Sequence, residues 1–157
     1  MKYIFFFFFT LLFLAGCDSN RVFEDYKEFS DRTWKVNDPA VFEFQIKDIS
    51  KKYNLYYNVR NSLGYPYARI FVQYSLTDST GTELAKNLAS NFLFDQKTGR
   101  PLGRSGLGDV LDNQFLLIEN QSFKTEGTYH FRLDQFNRQD TLAGILAVGL
   151  RVETVNP

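Results

Sequence analysis

Cysteine, histidine and tryptophan each occur once in the 157 residues, as Cys17, His130 and Trp34. A lone cysteine excludes an intrachain disulfide, although an exported chain could otherwise form one. The histidine falls on the polar side of a strand pattern, between Tyr129 and Phe131. With no assignable triad or ligand partners, it reads as a surface residue. Neither sign of charge dominates, with 18 basic and 18 acidic residues. Nothing in this balance suggests the basic face that nucleic-acid binding needs. There is no Asp-x-Asp-x-Asp-Gly loop for calcium and no Gly-Lys-Ser/Thr ending for a phosphate loop. A glycosidase needs two facing carboxylates, and chance pairs among 18 acids decide nothing. Internal repeats and convincing amphipathic helices are also lacking. The best helical window, Gln135 to Leu146, contains Gly144 and reads as a turn. These absences predict a chain with no catalytic residue, no metal and no cofactor, acting other than as an enzyme.

The one long apolar run stands at the N-terminus. Lys2 precedes Tyr3 to Leu14, which carries no charge and includes six of the 17 phenylalanines. This is the order of a secretory signal peptide, and it is too short for a membrane span of about 20 residues. Leu14-Ala15-Gly16-Cys17 resembles the bacterial lipobox. Small residues let the backbone thread a peptidase cleft, and the thiol accepts a diacylglyceryl group. Cys17 is thus the expected lipid anchor. The expected organisation is a signal peptide over 1–16, a lipid-anchored tether and entry strand over 17–38, and a folded domain over 39–157. Within the tether, Val22 to Tyr26 suit a short edge strand. Trp34, before the turn signal Asn37-Asp38-Pro39, is expected to pack on the domain because leaving its ring in water is costly.

After Pro39 the apolar period is two. Phe42, Phe44 and Ile46 form one set; Tyr53, Leu55, Tyr57 and Val59 a second; Ile70, Val72, Tyr74 and Leu76 a third. Tyr129, Phe131 and Leu133, and Leu146, Val148, Leu150 and Val152, continue the pattern. Such alternation is the mark of half-buried strands, and β-branched and aromatic residues suit them. Weaker strands are expected over Leu88 to Asp95 and Gln114 to Glu119. Turn-forming clusters separate the runs. Seven or eight short strands predict an all-β antiparallel sandwich, immunoglobulin-like or jelly-roll, with the strand order left open.

Two connections stand out. Thr98 to Asp109 carries Gly99, Gly103, Gly106 and Gly108 with Arg100 and Arg104, and reads as a tight glycine-dependent connection or as a shaped docking loop. Asn61 to Tyr67 ends in Tyr65-Pro66-Tyr67, which suits either a cap on the sandwich or a contact surface. Tyr65, Tyr67, Arg100 and Arg104 are the candidate protein-binding residues.

Four blocks resemble the gliding-motility lipoprotein GldH family of the Bacteroidota. They are Leu14 to Cys17; Tyr53-Asn54-Leu55 through Arg60-Asn61 to Tyr65-Pro66-Tyr67; Gly99 to Asp109, with Leu102-Gly103 and Gly106; and Gly127, Tyr129 and Phe131 through Leu142, Gly144, Ile145, Val148-Gly149 and Arg151. The resemblance implies a non-enzymatic part of the gliding machinery, linked to type IX secretion. It would partner other gliding lipoproteins and membrane proteins, anchored by lipid in the envelope at the outer membrane. Periplasmic and outward-facing placements both stay open. The alternative is a cell-surface carbohydrate-binding sandwich, which would display Trp34, Tyr65 and Tyr67 coplanar on one face.

Cys17→Ser is expected to leave the precursor unprocessed or misplaced. Cells fed a palmitate analogue should label the wild-type protein; an unlabelled wild type would contradict lipidation.

Overall fold

The computed structural model describes residues 20–155. The signal peptide and Cys17 lie outside the described residues. Within them the alternating runs become β1 (Arg21–Glu28), β2 (Thr33–Lys35), β3 (Ala40–Ile46), β4 (Tyr53–Ser62), β5 (Arg69–Asp78) and β6 (Glu83–Phe92). The chain continues through β7 (Arg104–Ser105), β8 (Val110–Gln121), β9 (Gly127–Gln135), β10 (Thr141–Ala143) and β11 (Ile145–Thr154). One sheet has the order β1-β11-β4-β8-β7 and the other β3-β9-β5-β6, with every pair antiparallel. The short pair β10-β2 stands apart.

The strand order decides between the two sandwich variants. Among the long strands, β1 pairs with β11, β3 with β9, β4 with β8 and β5 with β6. First meets last and second meets second-to-last, so the chain is one long antiparallel ribbon rolled into two sheets. That is a jelly roll.

Inward positions fill the space between the sheets. Phe42, Phe44, Leu55, Tyr57, Val72, Tyr74, Phe131, Leu133, Val148 and Leu150 are all buried, as strict alternation predicts. The Phe23 and Phe44 rings meet between β1 and β3 at 6.0 Å. Two core tyrosines keep their hydroxyls satisfied by reaching the opposite sheet, Tyr57 donating to Asn91 at 2.7 Å and Tyr74 to the Leu117 carbonyl at 3.1 Å.

Two details depart from the sequence pattern. β11 has an irregularity between Ile145 and Ala147, so Ile145 and Ala147 are buried while Leu146 is only half-buried. The strand expected over Leu88 to Asp95 instead runs Glu83–Phe92. The described part of the segment 17–38 packs into the sandwich: the edge strand expected there is β1, paired with β11, and Trp34, expected to pack on the domain, is fully buried against Phe29. The Trp34 indole donates to the Asp38 carbonyl at 3.0 Å.

Phe131→Ala should cost about 3 to 5 kcal/mol, the range for a fully buried aromatic. Urea titration monitored by Trp34 fluorescence measures it, since the single tryptophan passes from a dry site to water. A loss below about 1 kcal/mol, or a far-ultraviolet spectrum dominated by helix, would contradict this packing.

Candidate functional site

The two singled-out connections meet at one end of the sandwich. The Leu63 N–H donates to the Asp109 carbonyl at 2.8 Å, and Arg32 holds the Asp109 carboxylate at 2.9 Å. Beneath them buried Asn113 donates to buried Asn61 at 2.8 Å, which donates to the Ser62 carbonyl. Gly144, at φ +86°, fits only because it lacks a Cβ: a methyl there would stand 2.9 Å from Ser62 Oγ and 3.0 Å from Tyr65 Cα. Thr98 to Asp109 is not a loose loop. The Asp95 carboxylate caps the turn by accepting from Thr98 and Lys97, and the Thr98 hydroxyl leads in holding that carboxyl below its usual range. Phe94 then bridges to Pro101, and β7 pairs with β8. The tip of that hairpin carries Leu107, 94 % exposed.

The candidate residues separate. Tyr65 is only 5 % exposed and its hydroxyl donates to the Arg69 carbonyl at 3.2 Å. Burial, and then the neighbouring Tyr67, push its phenol far above the ordinary value, so it stays neutral. The contact role expected of Tyr65 is thereby corrected: its ring caps the core because the chain turns inward there. Tyr67 stays 38 % exposed, with its ring at 77° to that of Tyr65. Arg100 and Arg104 are exposed. The coplanar display of Trp34, Tyr65 and Tyr67 that sugar stacking requires is absent, since two of the rings are buried.

Tyr67 lines a groove of about 730 Å³ on the outward side of β5 and β6. Arg69, Phe71, Leu88, Phe136 and Arg138 share the lining. One wall is the β9–β10 connection, and hydrogen bonds fix it. The Phe136 N–H and the Asn137 amide both donate to the Phe71 carbonyl, at 2.9 and 3.0 Å. Buried Gln135 accepts from the Asn137 N–H and donates to the Gln139 carbonyl. This wall holds Phe136 outward, 55 % exposed. Arg69, Phe71 and Phe136 were not singled out from sequence. The available signal was Phe71, an aromatic on the face of β5 that alternation assigns to water with Gln73 and Ser75.

Arg104 lines a different pocket, on the outward face of the other sheet, with Glu24, Tyr26, Asn58, Asp112 and Arg151. Its groups satisfy one another. Asn58 donates to the Tyr26 hydroxyl at 2.9 Å, Gln114 to Asn58 at 3.0 Å, and Arg151 pairs with Glu24 at 3.0 Å. The Tyr26 ring lies so close over Gly149 that a Cβ there would stand 2.7 Å from it. This face is a structural network. His130 stands 3.9 Å from Glu43, and among the described residues no cluster of three or more His, Cys, Asp or Glu could hold a metal.

The family model of the GldH lipoprotein matches residues 21–152. The chain belongs to the GldH lipoprotein family. A GldH homolog of Christiangramia forsetii is 29 % identical, over 96 % of this chain and 94 % of that one. The gliding motility lipoprotein GldH of Flavobacterium johnsoniae is 28 % identical over 90 % of each. A chain from the structure of infectious bursal disease virus Gx strain overlays 88 % of this chain and 30 % of its own, at 10 % identity and a TM-score of 0.36. That likeness bears on neither fold nor function. In this GldH-family chain, then, the resemblance of the four sequence blocks reflects membership, and the groove is the surface feature left to explain.

Tyr65→Ala should destabilise by about 3 kcal/mol, as loss of a buried aromatic does, while Tyr67→Ala should change stability by under about 1 kcal/mol. Denaturant unfolding of both variants checks this, and equal losses would contradict the division between cap and groove residue.

Proposed function

We propose that this chain is a lipid-anchored docking component of the gliding machinery, linked to type IX secretion and held at the outer membrane. It binds other proteins of that machinery and carries out no reaction. Family membership supports the setting. The observation that carries the binding mode is the separation of the two ends of the sandwich.

Asn20 marks the near end, where its carbonyl accepts from the Thr154 N–H at 2.8 Å. Cys17, the proposed lipid attachment site, is three residues earlier, a covalent reach of at most about 11 Å. The near end is therefore confined to the membrane surface. β11 runs from Thr154 back to Ile145, about 30 Å away at strand rise. At that far end stand Leu63, Tyr67, Leu102, Leu107 and Phe136, all exposed, together with Arg100. Exposed apolar side chains concentrated away from the anchor suit a protein partner, and aromatic residues and arginine are enriched at such contacts.

The double variant Tyr67→Ala/Phe136→Ala should abolish spreading on agar while the protein stays folded, abundant and lipidated. A hot-spot loss of about 2 kcal/mol corresponds to roughly thirtyfold in affinity. Normal spreading of this variant, together with loss of spreading in Arg132→Ala on the exposed strand face, would move the docking surface to the sheet.

A further inference from the structure

We infer that the groove beside β5 takes an acidic segment of a partner protein, with a carboxylate on Arg69 and an adjoining aromatic or aliphatic side chain against Phe136 and Leu88. The inference rests on the far end being the docking surface, and it specifies the chemistry of what docks there.

Arg69 carries the argument. Its guanidinium lies 4.0 Å from the Phe92 ring centre and 5.8 Å from that of Phe71. Ring contacts occupy the faces of a guanidinium and leave its N–H edge for an in-plane acceptor. No acceptor is supplied from within: Arg69 Nε is buried with no hydrogen-bond partner. The chain pairs its other half-buried arginines on the sheet faces. Arg60 holds Asp112 and Arg151 holds Glu24. With no acceptor from within the fold, the guanidinium gains most from a carboxylate offered in the groove, and its planar fork suits two-point contact.

The surroundings agree in sign and shape. The groove is lined by two arginines, Arg69 and Arg138, and by no aspartate or glutamate. Tyr67, Phe71, Leu88 and Phe136 supply the apolar remainder. The hydrogen bonds from Phe136 and Asn137 to Phe71 hold the wall in place before anything binds, so little ordering opposes association. An acidic polysaccharide would meet the same charge, and competition with an acidic oligosaccharide separates it from a peptide.

The test is panning of a random dodecapeptide display library on detergent-solubilised mature lipoprotein, with measured affinities for the selected peptides. Selected sequences should carry Asp or Glu next to Phe, Tyr, Trp or Leu. Their affinity should fall about tenfold or more in Arg69→Gln, as expected for a lost charge-assisted contact. It should fall likewise in Arg138→Glu, and stay unchanged in Arg132→Gln. Trp34 fluorescence verifies that each variant is folded. Selection of basic or uncharged peptides, no selection at all, binding indifferent to Arg69→Gln, or displacement of the peptides by oligogalacturonate at lower concentration than by free peptide would overturn the inference. If acidic peptides bind through Arg69 while Tyr67→Ala/Phe136→Ala cells still spread, the groove chemistry holds and the docking role fails. If spreading is lost but no acidic peptide is selected, the reverse holds.

Discussion

The pairing of β1 with β11 is the constraint on which the remaining structure depends. It joins the start of the described chain to its last strand, from Arg21 opposite Glu153 to Glu28 opposite Ala147. Inside that pair the long strands nest as antiparallel partners, β3 with β9, β4 with β8 and β5 with β6, and the chain forms the rolled ribbon. The same pairing sets the two ends of the molecule. Asn20 is fixed at one by its bond to Thr154, and the Ile145–Asn61 pair marks the other. Under the proposed attachment at Cys17, three residues before Asn20, the fold itself would set the orientation of the domain at the membrane.

The two outward sheet faces illustrate how a polar surface differs from a binding surface. On the five-stranded sheet, Glu24, Tyr26, Asn58, Gln114 and Arg151 satisfy one another, so a ligand would have to break contacts already made. On the four-stranded sheet, Arg69 is enclosed by rings with its Nε unmet, so a ligand would complete a contact. The β9–β10 wall adds preorganisation, because the Phe136 N–H and the Asn137 side chain take the place of a strand partner for β5 at Phe71.

The core was legible wherever one side of a strand faces water. Phe42 through Ile46 and Ile70 through Leu76 alternate without error, and their burial follows. Legibility failed where both sides are covered or both exposed. β11 is buried on both faces near Ala147 to Leu150, so periodicity could not reveal the irregularity at Leu146. β6 presents Leu84 and Leu88 outward and small or polar residues inward, with Asn91 there to accept from Tyr57, so its pattern was weak and its start was missed. Contiguity in sequence joins Tyr65 to Tyr67, whereas the fold turns Tyr65 inward and leaves Tyr67 at the surface. The groove draws on segments around 66–71, 88, 96 and 136–139, brought together only by the pairing of β5 with both β6 and β9. No local signal joins them, and Arg69 becomes distinctive only once Phe92 lies opposite it.

Orientation at the membrane is the most direct point of attack. The full lipoprotein would be labelled with a fluorophore at Ser79→Cys in the β5–β6 turn, on the Asn20 end, or at Leu107→Cys on the far hairpin, and reconstituted in vesicles bearing nitroxide-labelled headgroups. Strong quenching at position 79 and almost none at 107 is the result expected of a domain standing on its near end. Equal quenching at the two positions, or stronger quenching at 107, would mean that the far end lies against the bilayer and is not free to dock a partner.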